Sequence, residues 1–116
     1  MAEVPAAIGT MHFGAGIAEL EVGRGADRAG TFLCAGCSNE LYSSTTKFDS
    51  GTGWPSFYRP LAGAVGTSTD YKLGYPRTEV HCADCGGHLG HVFNDGPRPT
   101  VLRYCMNGLA MRFRAA

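Results

Sequence analysis

From Thr31 onward the chain alternates apolar and polar residues in short runs. Thr31-Phe32-Leu33-Cys34 and Thr78-Glu79-Val80-His81-Cys82 each read as an extended segment entering a Cys-x-x-Cys turn, with glycine or polar turn residues after it. Two similar strand-plus-turn units are therefore predicted. The 44 residues between Cys37 and Cys82 exceed what two adjacent turns need, so a sizeable sheet or loop is inserted between them. Asn94-Asp95-Gly96-Pro97 predicts a turn, because proline fixes one dihedral and glycine permits positive φ. Two strands are predicted after it. In the first, a period of two puts Leu102, Tyr104 and Met106 on one face and Arg103, Cys105 and Asn107 on the other. In the second, Met111 and Phe113 alternate with Ala110, Arg112 and Arg114. No amphipathic helix stands out, so the expected class is mainly β with few or no helices. Residues 1–30 are rich in Gly and Ala, with one alternation at Glu19-Leu20-Glu21-Val22 that predicts an edge strand. The expected division is a variable segment 1–30 and one domain 31–116.

Composition narrows the possibilities. With 116 residues, 17 glycines and 6 prolines, the chain predicts a single loop-rich domain with a thin core, which a bound metal would help to hold. Lysine plus arginine equal aspartate plus glutamate at 10 each, so no basic field favours nucleic acid. The start of the chain lacks a charged segment followed by an apolar run, and no stretch approaches the length of a membrane span. The expectation is a cytoplasmic, monomeric protein with no nucleic-acid or membrane partner.

The 5 cysteines divide into two kinds. Cys34/Cys37 and Cys82/Cys85 form two Cys-x-x-Cys pairs, and four thiolates from two rigid turns satisfy a closed tetrahedral zinc site. One structural Zn2+ per chain is expected. A reducing compartment favours metal over disulfide for such pairs. A thioredoxin-like redox motif would instead be single and lie beside a βαβ unit, for which no crossover helix is evident.

Cys105 is the cysteine left over. An isolated cysteine is ordinarily a small buried hydrophobe, but Arg103 and Asn107 share its predicted face, and a nearby cation favours the nucleophilic thiolate. His88 and His91 are the other titratable pair. In a regular strand they face opposite ways, so both line one site only if Gly90 bends the backbone; either one alone reads more readily as a hydrogen-bonded structural histidine. Trp54, between Gly53 and Pro55, lies on a rigid loop suited to presenting an aromatic wall, although tryptophan is more often core.

Taken together, Cys34-Ala35-Gly36-Cys37, Lys47-Phe48-Asp49-Ser50-Gly51, Gly53-Trp54-Pro55-Ser56-Phe57, Arg77-Thr78-Glu79-Val80, Gly90-His91-Val92-Phe93-Asn94-Asp95-Gly96-Pro97 and Arg103-Tyr104-Cys105 closely resemble the B-type methionine sulfoxide reductases. The match covers about residues 31–116, and the order and spacing of the fragments are more specific than any one of them. This resemblance implies two antiparallel sheets with zinc away from the active site, and reduction of methionine R-sulfoxide, free or in proteins. It implies Cys105 as nucleophile, His91 and His88 orienting or protonating the sulfoxide oxygen, and Trp54 packed on the substrate methyl. Arg103, Asn107 and Asp95 match positions framing the site, and Phe113 is a further candidate for the apolar wall.

The chain departs from the family at two places. Many relatives carry a recycling cysteine just before Gly-Trp-Pro, where this chain has Thr52, so an external thiol is expected to reduce oxidised Cys105: thioredoxin, glutaredoxin with glutathione, or a small thiol. The family's polar, helix-containing lead-in is replaced by residues 1–30. Two other functions fit parts of the pattern. A non-catalytic zinc module binding a ligand or protein accounts for the paired cysteines and Trp54, and a cysteine-based redox sensor accounts for Cys105.

Overall fold

A computed structural model describes residues 28–116. The edge strand expected at Glu19–Val22 lies outside the described residues. Among the described residues nine strands run in chain order: β1 Gly30–Cys34, β2 Glu40–Ser43, β3 Lys47–Phe48, β4 Ser56–Phe57, β5 Val65–Asp70, β6 Arg77–Cys82, β7 His88–Phe93, β8 Arg103–Met106 and β9 Met111–Ala115. They form two antiparallel sheets, β2-β1-β9 and β3-β4-β8-β7-β6-β5. The only helical turns among the described residues are 3₁₀ turns at Ser44–Thr46 and Gly108–Ala110. No helix among them is long and apolar enough to cross a membrane.

The sheets meet through aromatic rings supplied by the alternating apolar positions. Phe32 on β1 meets Phe57 on β4 edge to face at 5.0 Å, and Tyr42 on β2 stacks on Phe57 at 4.2 Å. Such pairs contribute roughly 0.5–1.5 kcal/mol each beyond their buried area. The Tyr42 hydroxyl donates to Met106 Sδ at 3.3 Å, so the buried phenol keeps a hydrogen bond. Phe32, Tyr42, Phe57, Val80, Leu89, Met106 and Met111 are all essentially inaccessible. The Tyr42–Met106 contact anchors β8 immediately after Cys105.

At two strand positions a close backbone approach fixes glycine. At Gly90 a Cβ would lie 2.1 Å from the Cys105 carbonyl oxygen and 2.9 Å from the Met106 Cα. Any side chain there would push β7 away from β8. At Gly30 a Cβ would meet the Arg114 carbonyl at 2.4 Å, which seals the β1–β9 edge.

Candidate active site and metal centre

The two Cys-x-x-Cys turns have the same backbone. Cys34 N–H donates to the Asn39 carbonyl at 2.8 Å, and Cys82 N–H donates to the Gly87 carbonyl at 2.9 Å. Four residues past each first cysteine, Ser38 (φ 67°) and Gly86 (φ 77°) occupy the left-handed region that closes the turn. The sulfurs of Cys34, Cys37, Cys82 and Cys85 lie within 4.8 Å of one another, close enough to hold a metal ion. Cys34 and Cys85 are 3.7 Å apart and Cys37 and Cys82 3.6 Å, near the roughly 3.8 Å edge of a thiolate tetrahedron around an ion held at about 2.3 Å. Asn39 Nδ2 donates to Cys82 Sγ at 3.6 Å, a bond that favours a thiolate.

The protons on these sulfurs reflect the crowding. At Cys82 burial raises the pKa, but hydrogen bonds from the Cys85 and Asp84 N–H groups outweigh it and the thiol falls to about 7. At Cys37 a hydrogen bond from the Asn39 N–H favours the thiolate, yet burial and three neighbouring sulfurs push the thiol up to about 12. Four thiolates accumulate only when a cation offsets their repulsion.

A second site lies on the six-stranded sheet. Strand register places Ser56, Cys105, His91, Glu79 and Ser68 in one cross-strand row, each directly opposite the next. A cleft of about 300 Å³ opens beside Cys105, lined by Trp54, Arg77, His88, Gly90, His91, Phe93, Cys105 and Asn107. Trp54 reaches it because Met106 N–H donates to the Pro55 carbonyl at 2.9 Å, tying the tryptophan loop to β8. Asn107 caps the following 3₁₀ turn by accepting the Leu109 N–H at 2.9 Å.

His88 and His91 share this cleft for a reason other than the one expected. Gly90 does not supply the reversal. The register between β6 and β7 pairs Val80 with Gly90 but His81 with His88, so Leu89 is one extra residue and the bulge turns both imidazoles to one side. Their rings stand 5.3 Å apart. Gly90 serves the close approach of β8 instead.

Arg103 and Asp95 form a two-pronged ion pair, Nε to Oδ1 at 2.8 Å and Nη2 to Oδ2 at 3.1 Å. The guanidinium also lies 4.4 Å over the Phe93 ring. Cys105 is held above its ordinary value of 9.0: burial raises it most, while the Arg103 charge and a hydrogen bond with the Thr52 hydroxyl pull it back, and Asp95 opposes them. The cation therefore acts in the expected direction, but desolvation is larger.

Phe113 is not among the residues lining the cleft. It sits on β9 of the other sheet, 5.0 Å from Phe32 and beneath the Arg28 guanidinium. A period-two pattern marks its face as apolar without saying which sheet the strand joins. Conversely, the sequence pattern assigned no role to four polar residues, Asp70, Arg77, Glu79 and His81. Asp70 accepts His91 Nε2 at 2.8 Å and Arg77 Nη2 at 3.0 Å, and Glu79 bridges His81 Nδ1 at 2.9 Å and His88 Nδ1 at 2.8 Å. The alternation of Arg77, Glu79 and His81 with Thr78, Val80 and Cys82 was the available signal of a polar face.

Residues 21–115 match the SelR domain. Curated relatives named peptide methionine sulfoxide reductase MsrB are similar: 57% identity over 86 residues for the Leptospira interrogans protein and 58% over 86 for that of Bradyrhizobium diazoefficiens, each over 73% of this chain and over 66% and 62% of the relative. The Arabidopsis thaliana protein named peptide methionine sulfoxide reductase B1, chloroplastic, is 53% identical over 87 residues, 74% of this chain and 43% of its own. The chain thus spans less than two thirds of the length of these relatives. It belongs to the SelR-domain family, the family of the peptide methionine sulfoxide reductases MsrB.

Proposed function

We propose that the protein reduces methionine R-sulfoxide, free or in proteins, to methionine, with Cys105 as nucleophile. The observation that carries this is the cleft in which Cys105, two histidines and Trp54 converge within a SelR-domain chain. The Cys105 thiolate attacks the sulfoxide sulfur and forms a sulfur–sulfur bond, while His91, with His88 beside it, protonates the oxygen; the hydroxyl then transfers to the Cys105 sulfur as the sulfur–sulfur bond and the methionine sulfur–oxygen bond both break. Methionine leaves, and the oxygen remains on Cys105 as a sulfenic acid, the reversible first rung of thiol oxidation. Trp54 packs on the terminal methyl, Asn107 and Phe93 close the cleft, and the Arg103–Asp95 pair sets the charge beside the sulfur.

Two equivalents of an external thiol then return Cys105 to the thiol and release water and a disulfide. Thioredoxin, glutaredoxin with glutathione, or a small thiol fits this role, because the remaining cysteines sit at the metal centre and Thr52 occupies the loop beside Cys105. A structural zinc ion at Cys34, Cys37, Cys82 and Cys85 suits the all-sulfur donor set, and a reducing cytoplasm suits the free thiols. Residues 31–116 form the catalytic unit, acting as a monomer, and 1–30 a variable lead-in. An assay on resolved diastereomers with dithiothreitol tests the function. Turnover of the R form that vanishes in Cys105→Ser supports it; turnover that survives the substitution, or prefers the S form, overturns it.

A further inference from the structure

Asp70 stands at the end of β5, where the strand enters the hairpin loop to β6. Its side chain is 12% exposed and both of its oxygens are engaged. Oδ1 accepts the Lys72 N–H at 2.8 Å, which fixes the root of the loop. Oδ2 sits 2.8 Å from His91 Nε2 and accepts from Arg77 Nη2 at 3.0 Å. These bonds, the one to His91 foremost, hold the carboxyl down at about 2, so it is ionised and can only accept. The proton in the Asp70–His91 bond therefore belongs to Nε2. That leaves Nδ1 as the one imidazole nitrogen able to exchange a proton with a substrate, and no hydrogen bond to Nδ1 forms among the described residues.

We propose that Asp70 is a positioning residue for the sulfoxide reduction: its carboxylate, steadied by Arg77 and the Lys72 N–H, fixes the tautomer and orientation of His91 opposite Cys105. The inference rests on the assignment of His91 as proton donor above. Its logic is that of any carboxylate-oriented imidazole, in which the group that does not touch substrate decides which nitrogen does. Other charged or titratable groups face His91. Glu79 is its cross-strand partner on β6, His88 lies on its own strand, Cys105 lies opposite on β8, and Lys72 and His81 border the same polar surface. Glu79 is committed to His81 and His88, which leaves Asp70 as the carboxylate hydrogen-bonded to His91.

Two measurements on the full chain test this. The ¹⁵N imidazole shifts of the wild-type protein should show neutral His91 as the Nε2–H tautomer; a neutral Nδ1–H form overturns the proposal without any variant. In single turnover at saturating methionine R-sulfoxide, Asp70→Ala should form methionine on the order of 10- to 1000-fold more slowly. Asp70→Asn, whose amide oxygen can still accept from Nε2, should recover part of that loss. A wild-type rate in Asp70→Ala while His91→Ala is inactive overturns the inference alone. Wild-type rates in both His91→Ala and Cys105→Ser overturn the assignment beneath it.

Discussion

Thr52 acts on Cys105: its side chain draws the thiol pKa down against the burial that raises it. Gly51 (φ 80°) and Gly53 (φ 83°) flank Thr52 in the left-handed region, and the Trp54 N–H donates to the threonine oxygen at 3.2 Å. The loop thus presents this side chain to the nucleophile, just before the Gly-Trp-Pro segment where the family resemblance implies a recycling thiol in many relatives. Thr52→Cys should restore one. After one turnover without reductant, the variant should lose two thiols and form a disulfide between the introduced cysteine and Cys105, visible by peptide mass. The wild type should instead carry a dimedone-reactive sulfenic acid and no intramolecular disulfide.

Burial holds the Cys105 thiol above 9.0 against the pull of Arg103. The alkylation rate by iodoacetamide should therefore still be rising at pH 9. Arg103→Gln removes the cation, so the thiol pKa moves further up and the thiolate fraction at pH 8 falls. Raising that pKa by about one leaves roughly tenfold less thiolate at a pH well below it. Alkylation at pH 8 should slow severalfold, and the gap should narrow as pH rises toward the wild-type value. An unchanged rate at pH 8 would remove Arg103 from the account of the nucleophile.

Gly90→Ala is small in chemistry and large in consequence. The new Cβ would meet the Cys105 carbonyl oxygen at 2.1 Å, so β8 must shift or the pair must open. Overpacking of this kind costs roughly 1–3 kcal/mol. The variant should unfold at lower denaturant and lose activity beyond what its folded fraction explains, because the strand displaced carries the nucleophile. Equal activity per folded molecule would contradict that placement.

Metal removal should act on the fold before the chemistry. One zinc ion per chain is expected by elemental analysis, with chelation unfolding the protein because apparent structural-zinc binding energies of about 10–16 kcal/mol are as large as the whole stability of a typical domain, about 5–15 kcal/mol. Cys37→Ser, the change of an exposed ligand, should lower zinc content and melting temperature together. A metal-free chain with unchanged melting would show that the four sulfurs hold nothing that the fold needs.

Much of the site was legible in the sequence because its chemistry lies in local motifs. Cys105 with Arg103 and Asn107 on one face, and the paired cysteines after their strands, needed only a period of two and a spacing of three. What escaped depends on register. Leu89 as the extra residue of a bulge brings His88 and His91 together, and nothing in Gly86–Phe93 distinguishes it from a bend at Gly90. Phe113, which the resemblance offers as a further candidate for the apolar wall, lies on β9, and β9 pairs with β1 rather than with the sheet bearing Cys105. Asp70 and Glu79 stand 9 residues apart in sequence and meet the histidines only because β5, β6 and β7 are neighbours in that order.

Single turnover without reductant tests the central claim most directly. Mixing the protein with excess methionine R-sulfoxide, quenching and trapping with dimedone should yield about one methionine per chain, with the label on Cys105 and on none of the four paired cysteines. Methionine formed without a label on Cys105, or a label on Cys105 without methionine, would contradict it.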